Sequence, residues 1–270
     1  MSSISQEKNI IIKSAGSFDR NQSLYPDGNI LNESANKKVH LTHDNMDIFS
    51  KKSIFFQKRN SFIATGNVHV KQGDSINLFC DSLNYDGLTK KFSSYGSVKF
   101  INDEMELNSN VLFFDRNANE IYFNKNGKII DSVSTIKSKE GKYFIDEKKY
   151  EFKENVIVEN PDYKIRSNMM DYFLSSEITL FYKFSTIITD DYTIFCNEGF
   201  YDPQKKIGVF KKDAKVNSET RTIFGDSIFF DENKKYASAS RNIKIIDEKE
   251  NLIIKGEYAE VFEELDSALI

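Results

Sequence analysis

Tryptophan is absent from this chain of 270 residues, proline occurs three times and cysteine twice. So little proline beside 23 Phe and 13 Tyr suits strands joined by polar turns and argues against disorder. Long apolar runs are missing too: none approaches the roughly 18 residues of a membrane-crossing helix. The opening, Met1-Ser2-Ser3-Ile4-Ser5-Gln6, lacks the basic and apolar regions of a secretory signal, so the expectation is a cytoplasmic protein or one whose export signal lies outside this chain. A net charge of −4 excludes a strongly basic nucleic-acid binder while leaving room for local basic patches. A hydrophobic content of 39% is enough for a core but low for one compact sphere.

Chemistry is equally sparse. The only histidines are His40, His43 and His69, and His40-Leu41-Thr42-His43 sets two of them on opposite faces of a strand, which does not suit a metal site. No glycine-rich phosphate loop precedes a helix, and neither a nucleophile elbow nor a Cys-x-x-Cys pair occurs. The expectation is therefore no enzyme and no cofactor. Cys80 and Cys196 fall at one position in units four periods apart. With strands about 4.8 Å apart they lie far beyond the ~7 Å Cα separation that a disulfide tolerates, so both read as small core residues.

What the chain does contain is a repeat. In Phe62–Gly96 an aromatic residue leads to Gly66-Asn67-Val68-His69-Val70, a turn follows at Gln72-Gly73-Asp74, and apolar residues alternate at Ile76, Leu78 and Cys80. The alternation breaks step at Asp81 and resumes at Leu83 and Tyr85 before a turn at Asp86-Gly87. Equivalent steps fall at Asp44, Asp81, Asn110, Gly141, Asn168, Asn197, Asp226 and Glu257. Most are Asp, Asn or Gly, which tolerate positive φ or hydrogen-bond their own backbone, so a bulge or corner is expected in each unit. Apolar columns with a period of two flank the step, as in half-buried strands. The spacings along the Tyr85 column are 37, 29, 31, 27, 29, 29 and 31, which differ by steps of two. Such steps lengthen a strand without exchanging its faces. The Gly of Gly66-Asn67-Val68 is expected to correspond to Glu154, Ser185, Ala214 and Arg241 in later units.

These patterns predict an all-β fold of about eight repeats of roughly 29 residues with no linker inside the array. Residues 1–36 read as an irregular segment with an eroded repeat, 37–262 as the repeat domain, and 263–270 as a truncated end or the start of a further strand. A 29-residue period also fits one coil of a right-handed parallel β-helix, used as an adhesin or a carbohydrate-active scaffold.

Ala64-Thr65-Gly66-Asn67-Val68-His69-Val70 with Cys80-Asp81-Ser82-Leu83-Asn84-Tyr85-Asp86-Gly87 resembles the OstA-like family of lipopolysaccharide-transport proteins, which includes LptA and the N-terminal domain of LptD. The stretches from Asn155 to Tyr163 and from Tyr192 to Asp202 resemble its larger Bacteroidetes-type members, and the similarity spans roughly residues 10 to 262. The resemblance implies an elongated, V-shaped antiparallel β-jelly-roll in the periplasm, associated with the outer membrane. Its apolar interior would shield lipid A acyl chains. It also implies lipopolysaccharide as ligand and other jelly-roll domains, this chain's own copies included, as partners through edge strands. Neither nucleic acid nor a transmembrane segment is expected.

On that reading the candidate lipid-binding residues are the inward columns: Ile76, Leu78, Tyr85, Met105, Leu107, Phe114, Ile136, Ile165, Tyr172, Ile194, Tyr201, Ile223 and Phe230. The same side chains would line any closed β core, as in a purely structural assembly protein. The turn acids Asp86, Asp115, Asp146, Asp202 and Asp231 read as turn formers, since the calcium-binding nonapeptide spacing is absent. The pairs Lys51-Lys52, Lys90-Lys91, Lys148-Lys149, Lys205-Lys206 and Lys234-Lys235 read as solvated turn charges, with lipid phosphates as the other possible use.

Overall fold

The computed structural model describes residues 9–262 and 267–269. The opening Met1–Gln6 and most of the 263–270 tail therefore lie outside the described residues. The chain divides into two compact units, Met1–Ser132 and Val133–Ile270. The first holds β1 (Ile11–Ser14), β2 (Ser17–Arg20), β3 (Gly28–Asn32), β4 (Val39–His43), β5 (Met46–Ser50), β6 (Lys52–Phe56), β7 (Ser61–Gln72), β8 (Ile76–Asp86), β9 (Lys91–Ile101), β10 (Glu106–Asp115), β11 (Glu120–Phe123) and β12 (Gly127–Ile130). The second holds β13 (Thr135–Ser138), β14 (Glu140–Phe144), β15 (Lys149–Glu159), β16 (Lys164–Phe173), β17 (Thr179–Phe181), β18 (Ser185–Ile188), β19 (Thr193–Cys196) and β20 (Glu198–Asp202). It continues with β21 (Ile207–Asn217), β22 (Arg221–Asp231), β23 (Tyr236–Asp247), β24 (Leu252–Phe262) and β25 (Ser267–Leu269).

Neighbouring strands run antiparallel, as in β7–β8–β9–β10 and β21–β22–β23–β24. That direction excludes the parallel β-helix and gives the antiparallel β-jelly-roll. Each long strand bends near its middle. β8 buries Leu78 and Cys80, then Leu83 and Tyr85, so its buried positions skip three residues where the others skip two. Its partner β9 buries Phe92 and Ser94, then Val98 and Phe100, a gap of four. The one-residue difference is a β-bulge, and it lets both halves of both strands face one interior. The half of β8 before the bend, Ile76–Cys80, belongs to what we term the first arm, and Ser82–Asp86 to the second.

The extra residue lies on the strand opposite the one that the sequence suggests. Positive φ occurs in consecutive pairs at Gly66-Asn67, Gly96-Ser97, Glu154-Asn155, Lys212-Asp213 and Arg241-Asn242, on β7, β9, β15, β21 and β23. Asp81, Asn110, Asn168, Asp226 and Glu257 sit across from those pairs with ordinary φ. At two of the bends a side chain opposite the bulge bonds to it: Asn242 donates to Asp226 at 2.9 Å, and Asn197 donates to the Lys212 carbonyl at 3.0 Å.

Four positions shift from the sequence reading. Asp44 is no corner, because Asp44-Asn45, with φ of 47° and 60°, forms the two-residue loop of the β4–β5 hairpin. In the repeat assigned to Gly141 the bend falls at Lys139, whose N–H donates to the Glu154 carbonyl at 2.9 Å, while Gly141 pairs with Phe152 in the second arm. Ala214 likewise follows the bulge pair Lys212-Asp213, and Ser185 pairs with Ser167 beyond the bend. The errors at Gly141 and Ala214 are of two residues, the displacement that leaves inward and outward faces unchanged.

Candidate functional site

The interior between the arms is built by alternation. Twelve of the thirteen candidate positions are buried in their unit, and Ile76, beside the β7–β8 turn, is half-buried. Leu107, Ile136, Ile165 and Tyr172 have no exposed surface at all. In the first unit Tyr85 stacks on Phe92 with centroids 4.4 Å apart, and Phe92 on Phe114 at 5.9 Å. In the second, Tyr143 stacks on Tyr150 at 4.4 Å. The bulged strands therefore supply as much of the lining as the strands that carry the thirteen. Phe92, Phe100, Tyr150 and Phe152 are buried there, and their period-two alternation with polar neighbours was the available signal.

Rings also meet across the arms, edge to face. Phe100 of the first arm meets Phe114 of the second at 6.4 Å and 81°. Tyr163 meets Tyr201 at 6.0 Å and 82°, and Tyr192 meets Phe230 at 4.7 Å and 71°. Such contacts contribute about 0.5–1.5 kcal/mol each beyond the area they bury, so they hold the arms together.

Buried polar groups fall in two places: at the bends, where the Ser50 and Ser53 hydroxyls pair at 2.9 Å and those of Ser167 and Ser185 at 2.8 Å, and at the mouth, where strand ends of the two arms approach. In the first unit the β4–β5 loop reaches the turns of the second arm. His43 Nδ1 lies 2.7 Å from the Tyr85 hydroxyl, the Arg116 guanidinium donates to that hydroxyl at 3.3 Å and to the Asp44 carbonyl at 3.1 Å, and Lys90 Nζ meets the Asp44 carboxylate at 2.7 Å. The Lys90 hydrogen bond holds the Asp44 carboxyl below its ordinary range against the opposing cost of burial. Burial pushes the Tyr85 phenol up, against the Arg116 hydrogen bond. In the second unit the Tyr163 hydroxyl donates to Glu177 at 2.8 Å. Beside it a cavity of about 210 Å³ opens between Pro161 and Tyr163 on one arm and Tyr201 and Pro203 on the other. Burial drives the Tyr163 and Tyr201 phenols upward, so both stay neutral.

The turn acids act as turn formers: Asp86, Asp115, Asp202 and Asp231 accept backbone N–H groups two or three residues ahead. The lysine pairs beside them meet carboxylates, as in Lys91–Asp115 at 2.8 Å, Lys206–Glu232 at 3.3 Å and Lys234–Asp231 at 3.0 Å. Among the described residues no group of three or more His, Cys, Asp or Glu could hold a metal ion, and no helix is long and apolar enough to cross a membrane. Cys80 and Cys196 are free and buried, and burial raises both thiols to about 12.

One solved structure similar to this chain is that of LptH from Pseudomonas aeruginosa, the LptA-homologous periplasmic component of a lipopolysaccharide transport device. The two share 14% identity over 38% of this chain and 79% of LptH, with a TM-score of 0.36. No curated protein matches. A family model described as OstA-like protein matches residues 7–168, more than half of the 270 residues. The chain belongs to the OstA-like family.

Proposed function

We propose that the space between the arms shields lipid A acyl chains of lipopolysaccharide in the periplasm on their way to the outer membrane, the chain acting as a passive conduit. The observation that carries this reading is an interior lined by apolar side chains from both arms in each unit, with its charged groups at the mouth and only paired or small hydroxyls at the bends. Burying a twelve-carbon chain is worth roughly 9 kcal/mol gross at ~0.8 kcal/mol per CH₂, enough to offset separating a few edge-to-face rings. Many equivalent inward side chains would keep any single grip weak enough for release. Continuation of the interior into a like domain would use free strand edges. β24 pairs with β25 only at Glu260–Phe262, so among the described residues its outer edge at 252–256 has no strand beside it.

The test is a photo-crosslinking side chain placed at Leu107, Ile165 or Ile194 in living cells, with outward-facing, exposed Asn84 as control. Lipopolysaccharide adducts at the inward positions and not at Asn84 are expected. Equal labelling at Asn84, or none anywhere, would sink the conduit. A second reading, an assembly protein with a permanently dry core, has the three cross-arm ring contacts in its favour. It is the reading left standing if the inward positions stay unlabelled.

A further inference from the structure

The outward face of the first arm in the second unit carries a charge pattern that the interior does not explain. Cross-strand pairing strings one row of side chains from β13 to β24. Lys137 pairs with Ile157, Ile157 with Arg166, Arg166 with Thr186, and Thr186 with Phe195. Lys215 follows, then Phe224, Lys244 and Lys255. From β13 to β23 the row alternates with buried residues such as Ile165, Ile194 and Ile245, so it faces outward, and Lys255 at its end is exposed. Nine strands at ~4.8 Å spread it over about 38 Å. It holds five cations and no carboxylate, in a chain whose net charge is −4. Among the described residues no carboxylate lies within ion-pair reach of Arg166, Lys215, Lys244 or Lys255, and only Lys137 meets one, Glu159 at 3.5 Å. The adjoining row adds apolar surface in Ile188, 37% exposed, and Ile253, 58% exposed. The matching row of the first unit, from His40 through Phe49, His69 and Phe79 to Lys128, has two lysines, of which Lys99 is ion-paired to Glu106.

We infer that this face docks on the headgroup layer of an anionic phospholipid membrane. The charge is complementary, and pairing across nine strands spreads it over a broad sheet face instead of gathering it at one point. Exposed isoleucines beside lysines are what an interfacial surface presents to headgroups and the first methylenes. Single-stranded nucleic acid would need open ring faces for base stacking. Here Lys215 Nζ sits 5.2 Å from the Phe195 ring centroid and 5.5 Å from that of Phe224, and Lys244 lies 5.7 Å from Phe224, so ammonium groups already occupy those faces. The inference is independent of what the interior carries.

The experiment is flotation of the full chain with vesicles of phosphatidylcholine alone or with added phosphatidylglycerol. Binding that requires phosphatidylglycerol and weakens with salt is expected. Lys215→Gln, Lys244→Gln and Lys255→Gln together should weaken it about a hundredfold, since each lysine near an anionic surface contributes about fivefold. A control triple, Lys153→Gln, Lys183→Gln and Lys211→Gln, removes the same charge from exposed positions off this row and should weaken binding far less. Circular dichroism melts check that both triples stay folded. No binding at low salt, an equal loss in the control, or tighter row-dependent binding of a single-stranded oligonucleotide would each overturn the inference.

Discussion

Replacing Gly96 by alanine isolates the force that shapes the bend. Gly96 has φ of +76°, where a Cβ costs about 1–2 kcal/mol. The added methyl would also overlap the Asp81 carboxylate and sit 2.9 Å from the Asp81 Cβ and Cγ. The carboxylate can rotate away, but a Cβ moves only with its backbone. The overlap therefore adds an overpacking cost of roughly 1–3 kcal/mol. Alanine stiffens the unfolded chain and returns ~0.5 kcal/mol, leaving a net loss of about 2–4 kcal/mol. Gly73 supplies the reference: its φ is +61°, yet nothing lies within 4 Å of where its Cβ would be. Gly73→Ala should thus cost only about 1 kcal/mol. Equilibrium urea unfolding followed by far-ultraviolet circular dichroism gives both numbers. A double-mutant cycle with Asp81→Gly should recover the overlap part of the Gly96→Ala loss, and Asp81→Ala, which keeps the Cβ, should recover less. If Gly96→Ala costs no more than Gly73→Ala, or if Asp81→Gly restores nothing, the bulge is not held by the Asp81–Gly96 approach.

The Asp44 carboxyl has its folded pKa held below its unfolded value, so its contribution is present above the unfolded value of 3.8 and is lost as pH falls through the folded one. Lys90→Met should flatten stability against pH below about 4, measured by urea midpoints across that window. Arg221 and Asp247, paired at 2.7 Å and nearly buried at strand ends, should show strong coupling. Arg221→Met alone should cost roughly 2–3 kcal/mol by leaving the carboxylate only its turn N–H partner, and adding Asp247→Asn, which drops the charge but keeps an acceptor for the Glu250 N–H, should recover part of it in thermal melts. The thiols of Cys80 and Cys196 should ignore a disulfide reagent at neutral pH and react fully in denaturant, as buried groups raised to about 12 require.

Period two and its break were legible in the sequence because a half-buried strand has no other way to write itself. Leu78, Leu107, Ile165 and Ile194 were named on that basis and are buried. Hidden from that reading was which strand carries the extra residue. Glu154, Lys212 and Arg241 hold positive φ without being Gly, Asn or Asp, so residue type does not flag them. The bend at Lys139 is hidden for a different reason: a displacement of two leaves every face intact, and alternation cannot detect it. Arg221 and Asp247 meet across 26 residues, so no local pattern shows that they pair. The Asp44 latch joins residues from three turns, and no local pattern encodes such a meeting.

That latch bears on the order in which the first unit assembles. Most strand pairs here join neighbours in sequence, so they form as soon as the next strand is available, whereas Arg116 meets Asp44 across 72 residues. Loop-closure entropy makes such a contact late. On the ribosome, the hairpin of β4 and β5 would be complete long before the turn after β10 emerges to fasten it. Until then the arms would be held at their bends and by the earlier-formed His43–Tyr85 and Lys90–Asp44 contacts, and the nascent unit would pass through an interval as a half-fastened clasp.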